Sequence, residues 1–117
     1  MEFPSVHKTE DSKIEILKGA TADLSAATYC LHHETHTLGN TLRWMLMKNP
    51  KVEFCGYSVP HPSEPKIHLR IQMYDNLSSL TALLEALDNL DSLCATIGDA
   101  YTTSLESGQY ETFDEKP

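Results

Sequence analysis

Two periodicities divide the chain. Residues 13–18 (KIEILK) place Ile14 and Ile16 on one side and Glu15 on the other, as in a short half-buried strand. Residues 27–32 alternate Ala27, Tyr29 and Leu31 with Thr28, Cys30 and His32, and the turn-rich residues 19–25 between the two runs predict a hairpin. The period then changes. Over residues 37–49, Leu38, Leu42, Met45 and Leu46 recur as one stripe of an α-helix. Thr37 is placed to cap it with its hydroxyl, and Asn49-Pro50 ends it, because proline disfavours helical geometry in the residue before it. Gly39 in the first turn costs about 1 kcal/mol relative to alanine, a cost that predicts close approach of another backbone. Residues 52–59 form a third strand and residues 60–65 (PHPSEP) a stiff connection. Residues 66–74 then set Ile67, Leu69, Ile71 and Met73 against His68, Arg70, Gln72 and Tyr74, a strand with one face in the core.

The last periodic segment is the longest. Asp75 or Asn76 is expected to open it, with Ser78 and Ser79 as alternative caps. Leu80, Leu83, Leu87, Leu90, Cys94, Ile97 and Tyr101 follow at spacings of three and four, a heptad-like seam. Leu77, Leu84, Leu93 and Leu105 widen it. This seam covers roughly 22 residues and about 33 Å of helix, more than a strand of up to nine residues can cover at about 3.3 Å each. Part of the helix must therefore protrude. The order predicts an α+β fold of two layers, ββαββα: a four-stranded, mainly antiparallel sheet with two helices on one face, the C-terminal one long. Residues 1–12 are expected to be a flexible arm, 13–106 the folded domain and 107–117 an acidic disordered tail.

Composition narrows the function. In 117 residues, nine Lys and Arg stand against seventeen Asp and Glu, for a net charge of −8 and a pI near 5.1. Gripping phosphates requires clustered cations, and the only local cluster is Arg43, Lys48 and Lys51. Direct binding of nucleic acid or of an anionic membrane is not expected. No apolar run approaches the ~20 residues of a membrane span, and residues 1–10 lack the apolar core of a signal peptide. Cys30, Cys55 and Cys94 are odd in number, far apart and set in apolar stretches, so they read as free thiols behaving as small hydrophobes in a reducing, intracellular compartment.

Candidate chemistry is thin. His32-His33-Glu34-Thr35-His36 departs from H-E-x-x-H, since Thr37 stands where the second histidine belongs, and it falls between a strand and a helix. Three imidazoles and Cys30 are the donors a zinc hydrolase would have to use. Cys30 and Cys55 could lie on neighbouring strands near His68, but no spacing enforces a nucleophile and base. Neither glycine-rich phosphate motif occurs, and Glu85, Asp88, Asp91 and Asp99 fit a solvated helix face. No catalytic residue, cofactor or metal is expected. What remains is surplus apolar helix. Trp44 and Met47 lie off the first helix's stripe, and Trp and Met are enriched at interface centres. A protein partner is implied. The competing readings are a homodimeric small regulatory module, which would need a polar pocket, and the metal-dependent hydrolase.

His36-Thr37-Leu38-Gly39-Asn40-Thr41-Leu42-Arg43, followed by Phe54-Cys55-Gly56-Tyr57 and Pro60-His61-Pro62, resembles the alpha-like motif of RNA polymerase subunits. The resemblance covers roughly residues 13–106. Within that family, Phe54-Cys55-Gly56-Tyr57 and residues 61–64 are most similar to the subunit shared by eukaryotic RNA polymerases I and III, with the polymerase II counterpart the nearest alternative. The resemblance implies a non-catalytic assembly subunit in the nucleus, including the nucleolus. It would pair with the larger alpha-like subunit as a platform for the two large catalytic subunits. The expected interface, drawn from the apolar positions of the two helices together with Arg43, joins Leu38, Leu42, Arg43, Trp44, Met45 and Met47 of the first helix to Leu80, Leu83, Leu87, Leu90, Cys94, Ile97 and Tyr101 of the second. Bacterial alpha has two consecutive arginines where this chain has Arg43-Trp44, so only Arg43 carries over as a polar contact.

Overall fold

The computed structural model describes residues 12–114. Its elements are β1 (Ile14–Ile16), β2 (Ala26–His32), α1 (His36–Met47), β3 (Val52–Ser58), β4 (Lys66–Met73) and α2 (Ser79–Ser107). This is the expected ββαββα order. The strands form one antiparallel sheet in the order β1-β2-β4-β3, with β1 and β2 as the hairpin. The connection through α1 carries the chain past β4, so β4, the most regular alternation, becomes a central strand.

Register sorts the side chains. Tyr29 lies opposite Leu69, and Ala27 and Cys55 both lie opposite Ile71, which puts the buried set of all three strands, Cys30 apart, on one face. Leu42 and Leu46 of α1 and Ala82, Leu83 and Ala86 of α2 close over that face. The opposite face carries Thr28, His32, His68, Arg70 and Gln72. Cys30 and Cys55 are therefore not on neighbouring strands: β4 lies between them, and they occupy opposite faces.

Local signals differ from expectation in three places. Thr35, not Thr37, caps α1, its side chain accepting the Thr37 amide at 3.4 Å. Asp75 and Asn76 adopt left-handed geometry, with φ of 55° and 56°, so they turn the chain and Ser78 caps α2. A Cβ on Gly39 would lie 2.6 Å from the Tyr57 ring. The close neighbour is an aromatic side chain rather than a backbone.

The start of α2 is pinned to the sheet. Ser79, fully buried, shares a 2.7 Å hydrogen bond with the Tyr29 hydroxyl, and its amide donates to the Leu24 carbonyl at 2.8 Å. Burial raises the Tyr29 pKa, so the phenol stays protonated. From that anchor a 29-residue helix runs about 43 Å, and the molecule extends 66 × 34 × 29 Å. Every residue from 91 to 107 is exposed. The arm expected over residues 1–12 lies outside the described residues except for Ser12, and residues 108–114 of the expected tail form neither helix nor strand.

Candidate partner interface

The helices divide the thirteen expected interface residues into three groups. Leu42 and Leu83 have no exposed surface, because each sits at the centre of the stripe facing the sheet. They belong to the chain's own core, and their assignment to a partner face is corrected. Leu38, Met45, Leu80, Leu87 and Leu90 are partly buried, packed against that core with one edge free. Trp44, Met47, Cys94, Ile97 and Tyr101 are exposed, with Ile97 at 59% and Tyr101 at 66%. Arg43 is partly buried and donates to Asn40 Oδ1 at 2.8 Å.

Helical spacing places Leu90, Cys94, Ile97 and Tyr101 on the same face as Leu83. One stripe thus begins as core and continues as bare surface where the sheet ends. Leu93 and Leu105 extend it, and both are exposed. These two were read from the sequence as flanking positions and left out of the expected interface. What marks them is that they lie past the reach of the strands. On α1, the Lys48 ammonium lies 4.3 Å from the centre of the Trp44 ring, a cation–π contact on a side chain that stays exposed.

The candidate chemical groups are dispersed. His32 pairs with Glu15, and His36 shares a 2.9 Å hydrogen bond through Nδ1 with the Tyr57 hydroxyl. His33 is exposed at φ 59°, its amide donating to the Pro65 carbonyl. Among the described residues no three His, Cys, Asp or Glu side chains are grouped to hold one metal ion. His68 lies opposite Cys30 in register, but burial raises the Cys30 pKa and lowers that of His68, so neither is poised as a thiolate or imidazolium. Burial pushes the Cys55 thiol up to about 11. Cys30 and Cys55 are buried, as small hydrophobes should be, whereas Cys94 is the cysteine expected on the partner-facing seam. Cys94 is exposed there. A groove of about 530 Å³ beside the start of α1 is lined by Val59, Pro62 and Pro65 with Glu34 and Glu64. Both carboxylates there are taken by Lys13 and Lys66.

Comparisons with known proteins place the chain in a family. The family model described as "RNA polymerase Rpb3/Rpb11 dimerisation domain" matches residues 26–100. Among similar proteins, the subunit RPAC2 of DNA-directed RNA polymerases I and III from Schizosaccharomyces pombe is 48% identical, over 80% of this chain and 74% of that one. The RPAC2 of Saccharomyces cerevisiae is 45% identical, over 81% of this chain and 68% of that one. The crystal structure of DNA-directed RNA polymerase subunit L from Thermoplasma acidophilum shares the fold at a TM-score of 0.67 and 15% identity, covering 85% of this chain and 96% of that one. The matched domain spans β2 through most of α2, and the chain belongs to the RNA polymerase Rpb3/Rpb11 dimerisation-domain family.

Proposed function

We propose that this chain is the non-catalytic, alpha-like assembly subunit of DNA-directed RNA polymerases I and III. In this reading residues 13–106 pair with the larger alpha-like subunit, and the pair forms the platform for the two large catalytic subunits. The observation that carries it is the α2 stripe, buried through Leu83 and bare at Ile97 and Tyr101. An exposed apolar stripe that outruns its own core marks a surface that another chain covers. Covering it gains about 25 cal/mol per Å² of apolar area, less the entropy of association. Relatives named as subunits of polymerases I and III support the choice of complex. Such a subunit works in the nucleus, and one serving polymerase I works in the nucleolus as well. The proposed interface consists of the exposed stripe, the free edges of Leu38, Met45, Leu80, Leu87 and Leu90, and the Arg43, Trp44 and Met47 side of α1.

Affinity capture of the intact chain tests this, beside a variant carrying Ile97→Asp and Tyr101→Asp. Both positions lie outside the core, so the variant folds. The wild type is expected to recover one larger alpha-like chain at equal stoichiometry together with large subunits of polymerases I and III, and the variant to lose them. Recovery of wild-type chain alone, or of polymerase II large subunits, overturns the assignment.

A further inference from the structure

Charge is distributed unevenly between the two ends of the described chain. Residues 12–74 carry five acidic and seven basic side chains, whereas residues 75–114 carry eight acidic ones and no Lys, Arg or His. Helical spacing places Asp91 at one edge of the bare stripe and Asp88 and Asp99 farther round, on the side turned away from it. Leu93 and Ala100 make the other edge neutral. The ion pairs among the described residues, Lys13–Glu34, Glu15–His32 and Glu64–Lys66, all lie outside α2. The acids also oppose the helix dipole. None occupies the first turn, where anions stabilise, and Glu106 sits in the last turn, where no cation balances it. This half of α2 therefore joins an uncovered apolar stripe to an acidic back.

We infer that the segment covering the second half of α2 belongs to a chain whose surface around its apolar contact carries an excess of Lys and Arg, and that this match favours a different chain over a second copy. The inference rests on the heterodimer reading above and adds the chemistry of the partner's surface. A helix is about 10 Å across, and the screening length is also about 10 Å at 0.1 M salt. The carboxylates thus act on an approaching partner through their field, with Asp91 nearest to the contact itself. A second copy packed α2 against α2 brings no cation to that field, and its net charge of −8 repels the first at long range. A basic partner is attracted by the same field, and complementary charge acts mainly on the rate of encounter. The competing occupant is a second copy seated through its α1, where Arg43 and Lys48 lie.

The test measures association rates between the intact chain and the larger alpha-like subunit recovered by capture, at about 50 mM and about 500 mM NaCl. Wild type is expected to associate about tenfold faster at low salt. A variant with Asp88→Asn, Asp91→Asn and Asp99→Asn is expected to start near the slowed rate and change little with salt. The matching Asp→Glu variant should keep the wild-type profile, which separates charge from shape. A wild-type rate insensitive to salt, or an Asn variant with the wild-type rate and slope, overturns the inference and leaves the heterodimer standing. If the Ile97→Asp, Tyr101→Asp variant associates as wild type does, the seam itself fails. A salt-sensitive homodimer of the chain alone, tighter than the heterodimer, also overturns the charge-based choice of partner.

Discussion

The two halves of α2 are built on one sequence pattern and meet opposite fates. From Ser79 to Leu87 the apolar positions close over the sheet, and Leu83 has no exposed surface. Beyond Leu90, from Cys94 to Leu105, the same spacing continues with every residue exposed. The difference is set by what lies beneath the helix: its first turns pack against α1 and β4, whereas the rest of its length of about 43 Å projects beyond both. Periodicity therefore specifies which face of a helix is apolar, and the sheet decides which stretch of that face becomes core.

Thiol chemistry offers the widest contrast between the halves. With its pKa at about 11, only about one Cys55 thiol in a thousand is ionised at pH 8, and the buried side chain is also shielded from reagent. Cys94 is exposed on the bare half. In the free chain, a maleimide is expected to label Cys94 at least about a hundredfold faster than Cys55, as read by peptide mass spectrometry. Binding the larger alpha-like subunit should protect Cys94 and leave Cys55 unchanged. Equal labelling of Cys94 in free and bound chain would place the partner elsewhere.

Truncation sharpens the same comparison at the level of stability. Leu83→Ala opens a cavity under α2 and is expected to cost about 2–5 kcal/mol in denaturant unfolding. Ile97→Ala should leave the unfolding midpoint of the free chain within about 0.5 kcal/mol while weakening heterodimer affinity. If the two variants destabilise the free chain equally, the second half of α2 is part of the core after all.

How much of this was legible in the sequence follows from the same physics. The element order, the hairpin, the alternation of β4 and the protruding helix all come from periodicities set within one segment. The identity of the residue beneath a given position does not. Leu42 and Leu83 match their neighbours in chemistry, and only the distance to the sheet shows that they belong inside the chain. Likewise Asp75 and Asn76 carry a capping chemistry that Ser78 provides, because a left-handed turn must first bring the chain off β4. Gly39 announced a close approach, but the Tyr57 ring that makes it arrives from a strand eighteen residues away.

The two helical glycines give the most direct contrast. At Gly39 an added Cβ meets the Tyr57 ring at 2.6 Å, and that ring is held by the hydrogen bond its hydroxyl shares with His36. Gly39→Ala is therefore expected to destabilise the chain by about 1–3 kcal/mol through overpacking. A Tyr57→Leu background should relieve much of that cost, since it removes the ring. At Gly98 an added Cβ meets nothing within 4 Å. There Gly98→Ala gains only the helix preference of alanine, about 1 kcal/mol, and slows amide exchange around residues 95–102 about fivefold in the free chain. Because that half opens independently of the core, the global midpoint should not move. The same substitution in two parts of the protein thus changes sign according to whether the helix face is already occupied. A Gly98→Ala variant that raised the global midpoint would show that the free half-helix unfolds together with the sheet.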